Sequence, residues 1–252
     1  QKNYRFDQES GIGKLAQAVK QGQGEQALQI LKSEQYPEVN WYHLRIFEPL
    51  PALLIDRLME KFSAYFTTQS PEQALPQLNK FGMLSVLRHG PYGVNSINRQ
   101  IEQKLSEKGW LPAGYYGHYH GQPIMITRND YTLKLFNGDI GMILRNPANQ
   151  NELQAFFLSP EGQVRAFWPH RLPEHETAYA MTIHKSQGSE FEEVLILFPD
   201  QPSPLLTREL IYTAITRARC KISVWGNEPI FKRAVAQQLH RTSGLREALA
   251  VG

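Results

Sequence analysis

The sequence predicts an α/β protein whose parallel-sheet domain is interrupted by a small all-β segment. Met83–Leu87 is a short apolar run, and the turn RHGPYGVN and an apolar helical pattern over residues 97–105 follow it. This order predicts a β–turn–α unit. Between about residues 110 and 172, short apolar runs alternate with turn residues, and after Thr177 the α/β pattern returns. The β segment is therefore most simply an insertion into one α/β domain.

Helices are predicted for most of the chain before Met83. Apolar side chains recur at helical spacing over residues 10–20, 24–32 and 48–66. Ser70 and Pro71 are typical of a helix start, with serine as the cap and proline in the first turn. We read the first 80 residues as a helical section that leads into the core.

The boundaries of the helix after Met83–Leu87 are also predicted from single residues. Asn95 is expected to cap its beginning, and Lys108 and Gly109 are expected to close it.

The inserted segment predicts four strands separated by the turn sequences FNGD, NPANQN and SPEG. The strands are Pro123–Thr127, Asp139–Arg145, Leu153–Leu158 and Gln163–Trp168. So many short strands in about 60 residues favour a small barrel. We assign residues 111–172 to it and residues 1–110 and 173–252 to the α/β domain.

Composition sets limits on the function but does not define it. The 252 residues carry 27 Lys and Arg against 24 Asp and Glu, an excess too small to argue for nucleic-acid binding by itself. The only cysteine, Cys220, excludes an internal disulfide and opens an apolar run, so we expect it in the core of a cytoplasmic protein. No apolar run approaches the roughly 20 residues of a membrane helix.

The chain begins at Gln1 inside the motif QKNYRF, so we expect a fragment of a longer protein or a renumbered chain.

Two segments carry the functional signal. Thr177–Phe198 predicts a short strand, a polar turn with a glycine, and a second apolar strand, and Glu209–Arg219 predicts a helix that ends in two arginines. A glycine turn lets backbone N–H groups approach a ligand closely, and a guanidinium matches phosphate oxygens in a planar fork. The pair of segments therefore favours a site for the phosphates of a nucleotide.

In order and spacing, these segments resemble motifs V and VI of superfamily 1 helicases, and QKNYRF resembles part of motif IV. The resemblance covers nearly the whole chain and is strongest to the RecD-like helicases of superfamily 1B. In those helicases the second RecA-like motor domain carries an SH3-like barrel at the position of residues 111–172, whereas UvrD-like relatives carry a large helical insertion there.

The resemblance implies several functional properties. It implies that the protein uses ATP with Mg²⁺ and moves 5′→3′ on single-stranded DNA. It also implies a first motor domain upstream and other subunits of a helicase–nuclease complex that acts in double-strand break repair.

The resemblance also implies roles for the residues of the nucleotide site. Arg217 in ITRAR matches the arginine finger that reaches the γ-phosphate, and Arg5 matches a second arginine at that phosphate. Gly188 would contact phosphate through its backbone, Glu190 would bind the ribose, and Gln187 lies beside them. The alternatives are a solvated arginine at a helix end, a surface arginine near the chain end, and a turn glycine with an exposed acid.

Single-stranded DNA is expected on the other side of the same turn. Thr182 and His184 would face it together by strand alternation. A second set follows the strand Met83–Leu87, where an α/β sheet binds ligands: Arg88, His89 and Asn95. A structural histidine is the alternative for His184.

Aromatic residues of the insertion offer a further possibility for DNA. They could stack on bases, but a barrel core needs the same residues. They are Tyr115, Tyr116, Tyr119 and Tyr131.

Several motifs are absent from the sequence. There is no GxxxxGK[ST], and the look-alike Gly11–Lys14 falls in a predicted helix. No acidic segment reads as Walker B, so Mg²⁺ ligands are expected outside this chain. The eight histidines show no metal-ligand spacing and the carboxylates show no nuclease cluster. The chain alone is therefore expected to be inactive, and two alternatives stay open: a binding or scaffold module on a degenerate motor fold, and a stand-alone helicase.

Overall fold

The computed structural model describes residues 9–45, 50–68, 70–111 and 117–238. The described α-helices are α1 (Gly11–Lys20), α2 (Gly24–Lys32), α3 (Ala52–Thr67), α4 (Pro71–Ala74), α5 (Val94–Glu107), α6 (Arg208–Ile215) and α7 (Glu228–Ala236). The described strands are β1 (Val39–His43), β2 (Phe81–Ser85), β3 (Gln122–Ile126), β4 (Ile140–Asn146), β5 (Glu152–Leu158), β6 (Val164–Phe167), β7 (His175–Thr177), β8 (Ala180–Thr182), β9 (Phe191–Leu197) and β10 (Ala218–Gly226).

The central element is a five-stranded parallel sheet in the order β1-β10-β9-β2-β8. Apolar side chains of α1, α2, α6 and α7 cover one face, and α3, α5 and part of the second sheet cover the other. Coverage on both faces is what a parallel sheet requires. The predicted α/β class is confirmed.

The inserted segment forms a five-stranded antiparallel sheet in the order β6-β5-β4-β3-β7. All four strands predicted there are present, with ends shifted by at most one residue. A fifth strand, β7, pairs with β3 and leads directly into β8 of the parallel sheet. Among the described pairings β6 and β7 are the two edges, so a closed barrel stays a prediction.

The N-terminal predictions hold for the helices but not for β1. Helices α1, α2 and α3 appear where apolar periodicity predicts them, Gly11–Lys14 lies in α1, and Ser70 caps α4 with Pro71 in its first turn. Residues 39–43, however, form an edge strand rather than part of a helical section. Val39 pairs with Ile222, far along the chain, and this contact cannot be read from local sequence.

Two predicted helix boundaries are wrong. The N-cap of α5 is Gly93 rather than Asn95, because the chain turns so tightly that a Cβ at Gly93 would collide with the His89 carbonyl. Helix α6 ends at Ile215, not at Arg219, because the Arg217 carbonyl already accepts a hydrogen bond from Phe191 N of β9, 2.8 Å away. Lys108 and Gly109 close α5 as predicted.

Cys220 is exposed on β10, so the prediction that it lies in the core is also wrong. The register of β10 shifts between Ala218 and Lys221, so the side-chain alternation expected from the apolar run does not apply there. Among the residues that the structure describes, no helix combines the length and the apolar character needed to cross a membrane.

Candidate functional site

Residues 183–190, which we call the crossing segment, connect the carboxyl end of β8 to the amino end of β9. Because β8, β2 and β9 are parallel neighbours, these two ends lie on opposite sides of the sheet. We call the side where the strands end the carboxyl edge and the side where they begin the amino edge. The crossing segment therefore spans the sheet from edge to edge. Ser186 anchors it: this side chain is fully buried, and its hydroxyl donates to the Ile183 carbonyl over 2.7 Å.

Arg217 lies at the amino edge of β9 and β10 and is 7% exposed. Its Nε donates to Thr213 O at 3.1 Å, its Nη1 to Ser189 O at 3.1 Å, and its Nη2 to Thr216 Oγ1 at 3.2 Å. A buried charge is costly unless hydrogen bonds compensate it, as they do here. The solvated arginine at a helix end is therefore excluded, and the guanidinium instead ties α6 to the crossing segment.

Gly188 and Glu190 lie at the same edge. Gly188 has φ +94°, and an added Cβ would meet no heavy atom within 4 Å, so its backbone conformation, and not lack of space, requires glycine. The Glu190 carboxylate accepts two bonds from Arg219, at 2.9 Å from Nε and 2.6 Å from Nη2. A ribose at Glu190 would therefore share the carboxylate with Arg219.

A cleft of about 530 Å³ opens beside these residues. One wall is the end of the crossing segment with Arg219, and the other comes from the turn before β4 and the segment after α4. Its polar lining residues are Asn79, Asn137, Asp139, Gln187, Ser189, Glu190 and Arg219. Gly188 also lines the cleft, whereas Arg217 lies behind Ser189 and does not.

The carboxyl edge of β2 and β8 brings together the residues predicted to bind DNA. Ser85 and Thr182 are paired across the two strands, so the turns that follow them are neighbours. Strand β8 ends at Thr182, so the strand alternation assumed for His184 is wrong, although both side chains are more exposed than that of Ile183 between them. In the second turn His89 Nδ1 lies 3.3 Å from Asn95 Nδ2.

A carboxylate that the sequence reasoning missed lies between these turns. Glu176 of β7 pairs with Arg88 at 2.8 Å and with Lys185 at 2.7 Å. One acid thus holds a cation from each of the two turns. No local pattern indicates this role, because Arg88 is 88 residues away along the chain.

Asn98 is a second missed residue. Its amide donates to Thr177 O and Ala180 O at 2.9 and 3.3 Å and accepts from Ala180 N at 2.8 Å, and the side chain is buried. It fixes the junction of β7 and β8 against α5. A polar residue on the apolar stripe of α5 could have indicated this buried role from the sequence.

The remaining residues predicted to have a functional role lie elsewhere or outside the described residues. Arg5, Tyr115 and Tyr116 lie outside the described residues. Tyr119 is buried and donates to Glu102, and burial raises the pKa of its hydroxyl, so it fits the core alternative. Tyr131 is 77% exposed and could stack. Within the described ranges no three His, Cys, Asp or Glu side chains form a group suited to a metal ion.

Comparison with known proteins defines the class. Residues 177–224 match the UvrD-like helicase C-terminal domain. The chain therefore carries a domain of the superfamily 1 helicases, as its two motifs indicate.

The particular relatives are RecD proteins, and the resemblance seen in the sequence is confirmed. The chain is 37% identical to the RecBCD enzyme subunit RecD of Mycolicibacterium smegmatis over 98% of its own length and 42% of the relative. It is 32% identical to RecD of Haemophilus influenzae, over 97% and 40% respectively. The chain thus spans about two fifths of the length of these curated relatives.

More distant similarities were also found. The chain is 31% identical to the ATP-dependent RecD2 DNA helicase of Deinococcus radiodurans over 62% of its length and 21% of the relative. A solved Pif1 helicase on forked DNA superposes with a TM-score of 0.44 at 14% identity, covering 99% of this chain and 53% of that one. A likeness of this size supports no inference about function, and the assignment depends on the sequence relatives.

Proposed function

We propose that the chain is the second motor domain of an ATP-dependent DNA helicase of the RecD type. In this proposal residues 1–110 and 173–252 form a RecA-like domain, and residues 111–172 form an SH3-like barrel inserted in it. The observation that carries the proposal is the crossing segment, which joins the two edges of the sheet and resembles motif V of the superfamily 1 helicases. Identity to RecD over nearly the whole chain supports it.

The amino edge of β9 and β10 is the proposed nucleotide edge. The cleft there fits a nucleotide, because Gly188 leaves open space for phosphates, Glu190 offers a carboxylate for ribose hydroxyls, and Gln187 adds an amide. Hydrolysis of bound ATP would supply the free energy for movement. The phosphate cradle and the Mg²⁺ ligands would come from the first motor domain.

Arg217 is proposed as the arginine finger, and Arg5 as a second arginine at the γ-phosphate. Arg217 would leave the Ser189 carbonyl and the Thr216 hydroxyl to reach a phosphate. Neutral acceptors hold a guanidinium less strongly than a phosphate does, so this exchange is favourable once a nucleotide is near. Ser189 belongs to the crossing segment, so the exchange would release that segment at one end.

The carboxyl edge of β2 and β8 is the proposed DNA edge. Thr182, His184, Arg88, His89 and Asn95 offer hydroxyl, imidazole, guanidinium and amide groups to phosphates without reading bases. Because the crossing segment begins at this edge and ends at the nucleotide edge, a change at Arg217 would move the grip on single-stranded DNA. The 5′→3′ direction follows from the resemblance alone.

The relatives also guide the choice among partners. Similarity to RecBCD subunits covers nearly the whole chain, whereas similarity to RecD2 covers 62% of it. We therefore favour a cytoplasmic helicase–nuclease subunit that acts in double-strand break repair over a stand-alone helicase. Elution of the active full-length protein as a monomer would favour the stand-alone helicase. Lack of a Walker A lysine upstream would favour a scaffold on a degenerate motor fold.

The test is DNA-stimulated ATP hydrolysis by the full-length protein. We expect Arg217→Ala to lower turnover by about 10³-fold or more, because an arginine finger contributes that much, with DNA binding nearly intact. Arg171→Ala removes an exposed arginine elsewhere and serves as the control. Near-normal turnover in Arg217→Ala would refute the assignment of the finger.

A further inference from the structure

Two histidines meet where the antiparallel sheet joins the parallel-sheet domain. His118 lies just before β3 and His175 begins β7, 57 residues later. Their Nε2 atoms are 3.3 Å apart and their ring centroids 5.1 Å apart. The ring planes are inclined by 27° in a stacked arrangement, and the two Nε2 atoms lie on the neighbouring sides of the rings. Both side chains are half-buried.

The proton position on His175 follows from its second contact. Its Nδ1 lies 2.7 Å from the Pro173 carbonyl oxygen. A carbonyl oxygen can only accept, so Nδ1 carries the hydrogen. In the neutral ring, Nε2 of His175 then carries no hydrogen and has a free lone pair.

The same result follows for His118 through a chain of hydrogen bonds. The Thr177 hydroxyl lies 3.2 Å from Glu102 Oε1, to which it donates its only hydrogen. That hydroxyl must therefore accept from Gln122 Nε2, 3.0 Å away, and this turns Gln122 Oε1 towards His118. Oε1 lies 3.0 Å from His118 Nδ1 and can only accept, so Nδ1 of His118 carries the hydrogen.

The neutral pair therefore places two nitrogens with free lone pairs 3.3 Å apart. Such a contact is unfavourable unless a cation is shared by the two nitrogens. Imidazoles whose Nδ1–H donates to an oxygen while Nε2 is free are the usual arrangement in metal sites. Two nitrogens each about 2.1 Å from a tetrahedral ion are about 3.4 Å apart, which agrees with the observed distance.

We infer that His118 and His175 bind one divalent transition-metal ion, with water completing its coordination. Two neutral imidazoles suit Zn²⁺, Cu²⁺ or Ni²⁺ rather than Mg²⁺ or Ca²⁺. The competing occupant is a proton shared between the nitrogens in a long hydrogen bond, which would give the pair a positive charge. Local spacing could not indicate this site, because the two ligands lie on opposite ends of the insertion.

The position gives the metal a structural consequence. His118 is at the entry of the antiparallel sheet and His175 at its exit, so one ion would clamp the two chain segments that connect the insertion to the parallel-sheet domain. Glu176, next to His175, holds Arg88 and Lys185 at the DNA edge. Metal binding would thus also fix the strand that carries Glu176.

The first experiment titrates Co²⁺ and Zn²⁺ into the metal-depleted full-length protein. We expect His118→Gln and His175→Gln each to lower the number of bound Co²⁺ ions by one, with loss of the corresponding tetrahedral d–d absorption. His170→Gln changes an exposed histidine of the same segment and should leave both unchanged. Zn²⁺ should raise the Tm of the wild type and of His170→Gln but not of the two pair variants.

A milder variant keeps the inference testable if the histidine variants fail to fold. Gln122→Leu keeps both histidines but removes the acceptor that orients His118, together with the amide that donates to Thr177, and should weaken Co²⁺ binding by about 10- to 100-fold, whereas Gln122→Glu should retain it. Equal Co²⁺ binding in the wild type and all of these variants would overturn the metal site. So would NMR evidence that one proton is shared by the pair while added Zn²⁺ leaves both rings unperturbed.

Discussion

The two edges of the parallel sheet hold their cations in different ways. At the nucleotide edge, Arg217 is buried, and its guanidinium donates to two backbone carbonyls and a hydroxyl. At the DNA edge, Arg88 and Lys185 share the carboxylate of Glu176, and the Arg88 side chain is 47% exposed. The first arrangement is a set of buried hydrogen bonds to neutral acceptors, whereas the second is a set of ion pairs.

If the two edges bind nucleotide and DNA as proposed, this difference predicts which property each edge controls. Buried hydrogen bonds set the position of a group and are little affected by salt, so changes at the nucleotide edge should appear in the rate of hydrolysis. Partly exposed ion pairs are weak and screened, so phosphates of DNA should replace the pair of Glu176 with Arg88 more readily than the pair with Lys185, whose side chains are each only 22% exposed. Changes at the DNA edge should therefore appear in affinity and in its salt dependence.

The largest effect is expected where the DNA edge joins the rest of the fold. Asn98→Leu would leave the buried N–H of Ala180 and the carbonyls of Thr177 and Ala180 without this partner. We expect a loss of about 3 kcal/mol, seen as a fall in Tm of about 6 °C or more. Asn95→Leu is the matched control, because it places the same substitution at an exposed position of α5. Equal Tm values for both variants would contradict a structural role for Asn98.

An intermediate effect is expected at the nucleotide edge. Gly188→Ala forces a side chain into φ +94° without a steric clash, and Gly162→Ala does the same at φ +79° in the turn before β6. Both should cost about 1 kcal/mol of stability. Only Gly188→Ala should also lower ATP turnover, by about tenfold, because its turn lines the proposed nucleotide cleft. Similar turnover in the two variants would remove Gly188 from the site.

The smallest effect is expected at the DNA edge, where a substitution should strengthen DNA binding rather than lower stability or activity. Glu176→Gln frees Arg88 and Lys185 from their carboxylate, so single-stranded DNA should bind about two- to fivefold more tightly, with a steeper dependence on salt. Glu174→Gln removes the same charge from an exposed neighbour and is the control. Weaker binding in Glu176→Gln would mean that the carboxylate positions the two cations for DNA rather than competing with it.

Local periodicity predicted the elements that are stabilised by their own apolar stripe or alternation. Helix α1 and strand β5 appear within a residue or two of their predicted bounds. Strand β1 was missed because its partner is β10, and the end of α6 was missed because the Arg217 backbone already belongs to the sheet. In each case a distant partner overrode the local pattern.

The candidate site shows the same limit. Residues 182–190 and Arg217 could be proposed from the sequence because they lie in two contiguous motifs. The role of Glu176 and the pairing of His118 with His175 could not, because Arg88 lies 88 residues from Glu176 and the two histidines lie 57 residues apart, and only the folded sheet order brings them together.

The most direct test of the account is the affinity for single-stranded DNA with and without a transition-state analogue such as ADP–aluminium fluoride. We expect the analogue to change the affinity of the wild-type full-length protein, because the crossing segment joins both edges, and to have no effect in Arg217→Ala. Arg171→Ala should behave as wild type. Wild-type affinity that is the same with and without the analogue would contradict coupling between the two edges.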